Sequence, residues 1–304
     1  MTCSVEIVSL PMISVIITAF REPVTVGDAL DAFLRQLPVD AEILVVCPDE
    51  ETTQTVKRYM AEHSQIRHIR DPQVGKPTAL NLGKNAAYGD ILLFSDGDVI
   101  VADQAVERLL YPFSDPQVGA VSGRPRSVNP RTTMFGFWSH FLTDSAHATR
   151  QQRDKQGEFL LCSGYLFAIR RVLVADVPDD ALAEDAVISH KVAERGYQVR
   201  YAPTAEVLVK YPTTYEDWLL QKVRSAGGYI QPYIQRSPVQ MRSFWWELRT
   251  GLNLVLHYPK TVQEWGWMAL LLLARLHLWC MIYIKVRWQK QPLPLLWKRV
   301  ETTK

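Results

Sequence analysis

Neither sign of charge dominates this chain. Its 34 Lys and Arg against 32 Asp and Glu leave +2 over 304 residues, which removes the electrostatic case for a nucleic-acid partner. Cysteine is scarce. Cys3, Cys47, Cys162 and Cys280 stand far apart with apolar neighbours, and no two have metal-ligand spacing. That pattern argues against a disulfide framework or zinc site and fits reduced thiols in a cytosolic compartment. No basic stretch followed by an apolar run opens the sequence, so no secretory leader is expected. Internal repeats and low-complexity segments are missing. Long apolar runs are rare too, the strongest falling at residues 265–286. With 47% hydrophobic residues, the chain can bury a sizeable core as one large domain, or one domain with an appendage.

What is present alternates. β-Branched or apolar runs at 12–18, 42–47, 66–69 and 91–95 predict strands, and 24–36, 50–62 and 78–88 predict the helices between them. Strands alternating with helices of this length imply an α/β chain with a mostly parallel, doubly wound sheet. Further on, helices are expected over 102–113, 133–149, 184–195 and 215–224. Strands are expected at 118–122 and 198–201, with an extended stretch over 160–169 broken at Ser163-Gly164. Beyond residue 237 the composition turns aromatic, from Phe244-Trp245-Trp246 onward. The expected division is therefore 1–237 as the α/β domain and 238–304 as an aromatic-rich, apolar helical appendage.

Asp96-Gly97-Asp98 closes the apolar run Ile91-Leu92-Leu93-Phe94-Ser95. Two carboxylates then emerge at the carboxyl end of a central strand, the edge where open α/β sheets bind ligands. Paired acids there can hold a hard divalent cation that bridges to phosphate oxygens. By itself the triplet also reads as an ordinary turn, with Asp98 as an N-cap for the helix that follows.

The order of motifs resembles the inverting family-2 glycosyltransferases, which have the GT-A (nucleotide-diphospho-sugar transferase) fold, over roughly residues 12–230. Ser14 to Pro23 looks like that family's first strand and nucleotide-binding turn, which marks Ala19 and Glu22 as donor-binding. Gly75-Lys76-Pro77-Thr78-Ala79-Leu80-Asn81 is similar to the segment before the metal motif, and Asp96-Gly97-Asp98 to that motif itself. Ala183-Glu184-Asp185 resembles the motif with the catalytic base, and Gln221-Lys222-Val223-Arg224 the Gln-x-x-Arg-Trp motif near acceptor and diphosphate. Cys162-Ser163-Gly164-Tyr165-Leu166 looks like the acceptor-side segment.

The resemblance implies a nucleotide-sugar donor, UDP-linked, and a Mg²⁺ or Mn²⁺ ion held by Asp98 with Asp96 supporting it or touching ribose. Asp185 would take the acceptor hydroxyl proton, while Glu184 complements the helix dipole or joins the acceptor site. Lys76 and Arg224 would meet phosphate or nearby acids. Asn81 and Asp49 would touch the nucleoside, and Gly164 and Gln221 the acceptor side. His140 and His147 are expected to be satisfied or surface histidines.

Two departures matter. Ser225 stands where the family motif has Trp, and the several membrane helices of polymer-forming relatives are missing, so non-processive transfer is expected. The acceptor would be a hydroxyl on a lipid-linked group or a glycan. Transfer to polyprenyl phosphate, which needs no general base, is a second reading. A silent sugar-nucleotide-binding scaffold is a third. A nucleotidyltransferase is disfavoured, since no glycine-rich triphosphate loop follows the first strand.

Residues 267–284 are barely long enough to span a bilayer, and Arg275 and His277 sit mid-run, where lipid burial is costly. The flank Lys285, Arg287, Lys290, Lys298 and Arg299 would stay cytoplasmic. A single crossing would then place the catalytic domain away from its nucleotide-sugar supply. A re-entrant or interfacial attachment at the cytoplasmic face of the cell membrane is therefore expected, with Trp265, Trp267, Trp279 and Trp288 near anionic headgroups. Packing of this helix on the catalytic domain, or on a second copy in a homo-oligomer, is the alternative.

Overall fold

A computed structural model of the protein describes residues 11–228, 231–237, 255–284 and 302–303. The run Phe244-Trp245-Trp246, Trp288, Cys3 and the basic flank from Lys285 onward lie outside them. Strands β1 (Ile13–Thr18), β2 (Glu42–Cys47) and β4 (Ile91–Asp96) are buried almost throughout, as strands covered on both faces must be. Together with β3 (Ile66–Arg70) they form the parallel half of the sheet, in the order β3-β2-β1-β4. Helices α1 (Thr25–Leu34), α2 (Glu50–Glu62) and α3 (Lys76–Ala86) make the crossovers.

The second half departs from a mostly parallel sheet. After β5 (Val99–Val101), α4 (Ala105–Leu110) and β6 (Val118–Ser127) comes the 22-residue helix α5 (Met134–Lys155). The chain turns at Gly157, whose φ is +67°, and doubles back along that helix. Arg153 Nε donates to Phe159 O (2.7 Å) and Arg150 Nε to Leu161 O (3.1 Å). It thus re-enters at the carboxyl edge of β4, and β7 (Leu166–Arg170) runs antiparallel to both β4 and β6. After α6 (Glu184–Glu194), β8 (Gln198–Val209) pairs parallel with β6 and antiparallel with β5. The result is one mixed eight-stranded sheet, β3-β2-β1-β4-β7-β6-β8-β5.

β8 runs eight residues past its expected end at Tyr201 because the ladder skips the proline. Tyr201 pairs with Ser122 and Glu206 with Arg124, which leaves Pro203 in a register shift, where no ladder N–H is required.

α7 (Tyr215–Gly228) and α5 carry a separate aromatic cluster of Phe137, Trp138, Phe141 and Trp218. The C-terminal helix Val262–Ile282, capped by Thr261, covers it with Met268, Leu271 and Ala274. Buried Met268, Leu271, Ala274, Leu278 and Ile282 make one stripe of that helix. Leu270, Leu272, Leu273, Leu276, Trp279 and Tyr283 are exposed. Trp138 Nε1 donates to Trp267 O (2.8 Å), and His277 stacks on Tyr215 with its Nδ1 2.7 Å from the phenol oxygen. This helix is long and apolar enough to cross a membrane by length and composition alone. Cys47, Cys162 and Cys280 are free thiols.

Candidate active site

The site is built where β1 and β4 end side by side. Thr18 and Asp96 pair in register, and the Thr18 hydroxyl donates to Asp96 Oδ1 (3.2 Å). On the same oxygen lies Lys76 Nζ at 2.5 Å, delivered by the first turn of α3. Gly75 makes that delivery with a φ of +152°, a backbone region that side chains rarely adopt. Burial works against the Lys76 charge, but the carboxylates of Asp96 and Glu184 outweigh it and hold the ammonium above its ordinary range. Gly97 lets the turn after β4 nest on the turn after β1. A Cβ there would lie 2.5 Å from Glu22 Oε2 and 2.7 Å from Ala19 Cβ.

These turns and the start of α3 wall a cavity of about 440 Å³, within the range of small-molecule sites. Ala19, Glu22, Lys76, Asp96, Asp98, Gln221 and Arg224, all singled out from the sequence, line it. Asp71, Tyr165 and Lys210 line it too and were not anticipated as site residues. Asp71 follows β3 directly, so the strand-end rule that marks Asp96 also points to it. Tyr165 sits between Gly164 and the first residue of β7. Its hydroxyl accepts from Gln221 Nε2 (3.4 Å), while Ser225 is exposed. The ring beside Gln221 is therefore a tyrosine from the sheet. Burial raises the Tyr165 phenol to about 12, with Asp98 adding to the effect.

Asp49 and Asn81 lie elsewhere. Asp49 caps α2, accepting from Thr52 N (2.9 Å) and from Arg21 N (2.7 Å) in the turn after β1. Burial opposes its ionisation, yet those amides hold its carboxyl below the usual range. Asn81 clamps the backbone of Val177 with both ends of its amide, at 2.8 and 2.9 Å. His140 and His147 also have partners, the Asn129 carbonyl at 2.9 Å and the Tyr201 hydroxyl at 2.8 Å.

Asp185 sits in the first turn of α6, outside the cavity lining. Its Oδ2 accepts from Gly164 N (2.8 Å) and its Oδ1 from Ala186 N (2.9 Å). Burial raises its carboxyl above the ordinary range despite those amides and the charge of Lys76. Glu184 is raised by burial as well, with Lys76 pulling the other way. Ser95 Oγ donates to Tyr165 O (3.1 Å), which ties the Gly164 segment to the end of β4.

The charge of the cavity bears on a metal. Six carboxylates (Glu22, Asp71, Asp96, Asp98, Asp179, Asp180) face three cations (Lys76, Lys210, Arg224), an unfavourable place for a bare diphosphate. Among the described residues no cluster of three or more His, Cys, Asp or Glu could hold an ion by itself. Asp96 and Asp98 nevertheless give two hard oxygen donors, which suits Mg²⁺ or Mn²⁺ sharing its shell with phosphate oxygens.

Known proteins share this fold. The mannosyltransferase PcManGT from Pyrobaculum calidifontis, solved in complex with GDP-Man and Mn²⁺, superposes with a TM-score of 0.66 at 20% identity, covering 92% of this chain and 88% of that one. GalNAc-T7, solved with UDP, GalNAc and Mn²⁺, gives 0.52 at 16% identity over 83% and 60%. In sequence, the probable glycosyltransferase YdaM of Bacillus subtilis is 29% identical over 232 residues, 72% of this chain and 55% of that protein. The poly-beta-1,6-N-acetyl-D-glucosamine synthase of Staphylococcus aureus (strain COL) is 26% identical over 222 residues, 71% and 54%. The chain thus spans about half the length of these curated relatives. The model of the glycosyltransferase like family 2 matches residues 11–228, from β1 to the end of α7, and to that family the chain belongs.

Proposed function

We propose that this chain moves a sugar from a nucleoside-diphosphate donor, a UDP-sugar, to a hydroxyl of a lipid-linked or glycan acceptor, with inversion, in polysaccharide or glycolipid assembly. The observation that carries this reading is the meeting of Asp96, Asp98, Lys76, Gln221 and Arg224 in one cavity at the carboxyl ends of β1 and β4. Asp98 and Asp96 would hold the divalent ion. When bound, such an ion offsets the charge that develops on the departing diphosphate. Mn²⁺ in both structural neighbours supports that part.

Arg224 offers its planar fork to diphosphate oxygens, and Lys76 keeps Asp96 in place. At the other side the acceptor oxygen attacks the anomeric carbon as its proton passes to Asp185. The bond to the diphosphate breaks in the same step, and the electron pair leaves with the diphosphate. Asp185 suits the task because burial raises its basicity while the Gly164 amide fixes one oxygen.

Residues 238–304 serve as the membrane-associating part at the cytoplasmic face. One stripe of the C-terminal helix is buried on α5 and α7 along its length. Crossing the bilayer would drag the catalytic domain in with it. Lying in the interface leaves Leu272, Leu276 and Trp279 to lipid.

The test is hydrolysis and transfer with a panel of nucleotide sugars, with and without Mn²⁺, beside Asp98→Ala and Asp185→Asn. Metal-dependent release of UDP, lost in Asp98→Ala, is the expected result. Failure to bind any nucleotide sugar would sink the reading. Transfer that survives in Asp185→Asn would point to a phosphate acceptor.

A further inference from the structure

One wall of the cavity comes from outside the family domain. Thr303 is buried and lines the cavity together with Lys210, Gln221 and Arg224. Its neighbour Thr302 is anchored twice. The Thr302 amide donates to Asp217 Oδ2 (2.8 Å), and the Thr302 hydroxyl oxygen accepts from Thr213 N (3.2 Å). Both anchors belong to the stretches of chain that supply the cavity residues. Lys210 follows directly on β8, and Thr213 comes shortly after it. Asp217 stands on α7 one turn before Gln221, on the same side of the helix. Thr302–Thr303 therefore straps the end of β8 to the first turn of α7, with Thr303 facing the cavity.

The strap does not fill the space it borders. With Thr303 in place a cavity of about 440 Å³ remains, which is room for a small molecule. The segment is a wall, then, rather than a plug. Its two anchors are also few enough to part and re-form within a turnover, whereas the edge that carries Asp96 is fixed by ladders to β1 and β7 on either side. Segments that close over a bound substrate keep water out and delay its departure. We propose that Thr302–Thr303 is a strap that closes the Arg224 side of the cavity and retains the nucleoside diphosphate there until transfer is complete. This inference rests on the nucleotide-donor reading of the cavity and adds to it a control on release. Asp217 acts through the strap, as a positioning residue with no part in the chemistry.

The test measures affinity and dissociation rate of UDP and of GDP, each with Mn²⁺, on the full chain. Thr302→Pro removes both the amide hydrogen and the hydroxyl that anchor the strap. Asp217→Ala removes one anchor from α7, and Glu216→Ala removes the neighbouring charge of the same turn. Dissociation of whichever nucleotide binds should quicken about tenfold in Thr302→Pro, the worth of two ordinary hydrogen bonds. It should quicken several-fold in Asp217→Ala and stay at the wild-type rate in Glu216→Ala. Thr302→Ser, which keeps both anchoring groups, should rescue slow release. Asp217→Ala should add nothing on top of Thr302→Pro, because its anchor is already gone. An unchanged rate in Thr302→Pro overturns the strap and leaves the donor reading intact, as does tighter binding, which would make the segment a plug. A full effect of Asp217→Ala on top of Thr302→Pro overturns it too, since Asp217 would then act through α7 itself. Wild type that binds neither nucleotide overturns the donor reading and the strap together.

Discussion

Lys76 and Asp96 meet at 2.5 Å beside an acidic cavity, so each restrains the other. Lys76→Met leaves Asp96 with the Thr18 hydroxyl and makes the cavity more acidic. Donor binding should weaken about 10- to 150-fold, the worth of a charged hydrogen bond of about 1.5–3 kcal/mol, as read by titration calorimetry with UDP-sugar and Mn²⁺. Asp185→Asn should lower turnover by about 10²- to 10⁴-fold, the usual share of a general base, with donor affinity unchanged. Asp185 must be ionised to take a proton, and burial raises its carboxyl. Activity should therefore fall with decreasing pH above the ordinary aspartate range, and this acid limb should vanish in Asp185→Asn. The residues at the end of β4 could be read in the sequence because an apolar run announces where the strand stops. The same rule points to Asp71, but more faintly, since β3 is an edge strand carrying Arg67, His68 and Arg70 in place of an apolar run. Asp49 and Asn81, expected at the nucleoside, each hold a nearby backbone, a contact that the sequence alone does not announce.

Among the elements, the turns after β1 and β4 are in contact at Gly97. Gly97→Ala would press a Cβ on Glu22 and Ala19 and should cost about 1–3 kcal/mol through overpacking, visible as a lower melting temperature. Glu42 ties several strands together from a buried position. Its carboxylate accepts from Ser14 Oγ (2.5 Å), Arg67 Nη1 (2.8 Å) and Tyr88 N (2.7 Å). Glu42→Ala should destabilise the fold by about 2 kcal/mol or more, because each buried group stripped of its partner costs about 1–3 kcal/mol, as measured by denaturant titration. Glu50–Glu62 and Glu42–Cys47 were legible to the residue because apolar period and turn chemistry agree there. Strand direction was not. Nothing local in Leu166–Arg170 tells whether the chain arrives from above or below. The reversal depends on Gly157 and on Arg150 and Arg153 gripping carbonyls downstream.

At the scale of the molecule, the C-terminal helix and the catalytic domain share one aromatic cluster. Deleting residues 238–304 would bare Phe137, Trp138, Phe141 and Trp218, an apolar patch of the kind that drives association. The shortened chain should elute as aggregates from a size-exclusion column without detergent, and as a discrete species with it. The apolar run itself was plain in the sequence, but its buried face was not, because leucines encircle the helix and leave no polar side to orient it. The β4–β7 ladder has a wider bearing. Ser95 pairs with Leu166 in the middle of the sheet, and the peptide carrying Tyr165 and Gly164 hangs from that pair. The proposed donor edge and the proposed base are thus spaced by the amide bonds that open last when a protein breathes. On slow heating, inactivation and unfolding should then fall in a single transition, and the enzyme's thermal ceiling would be that of its entire sheet.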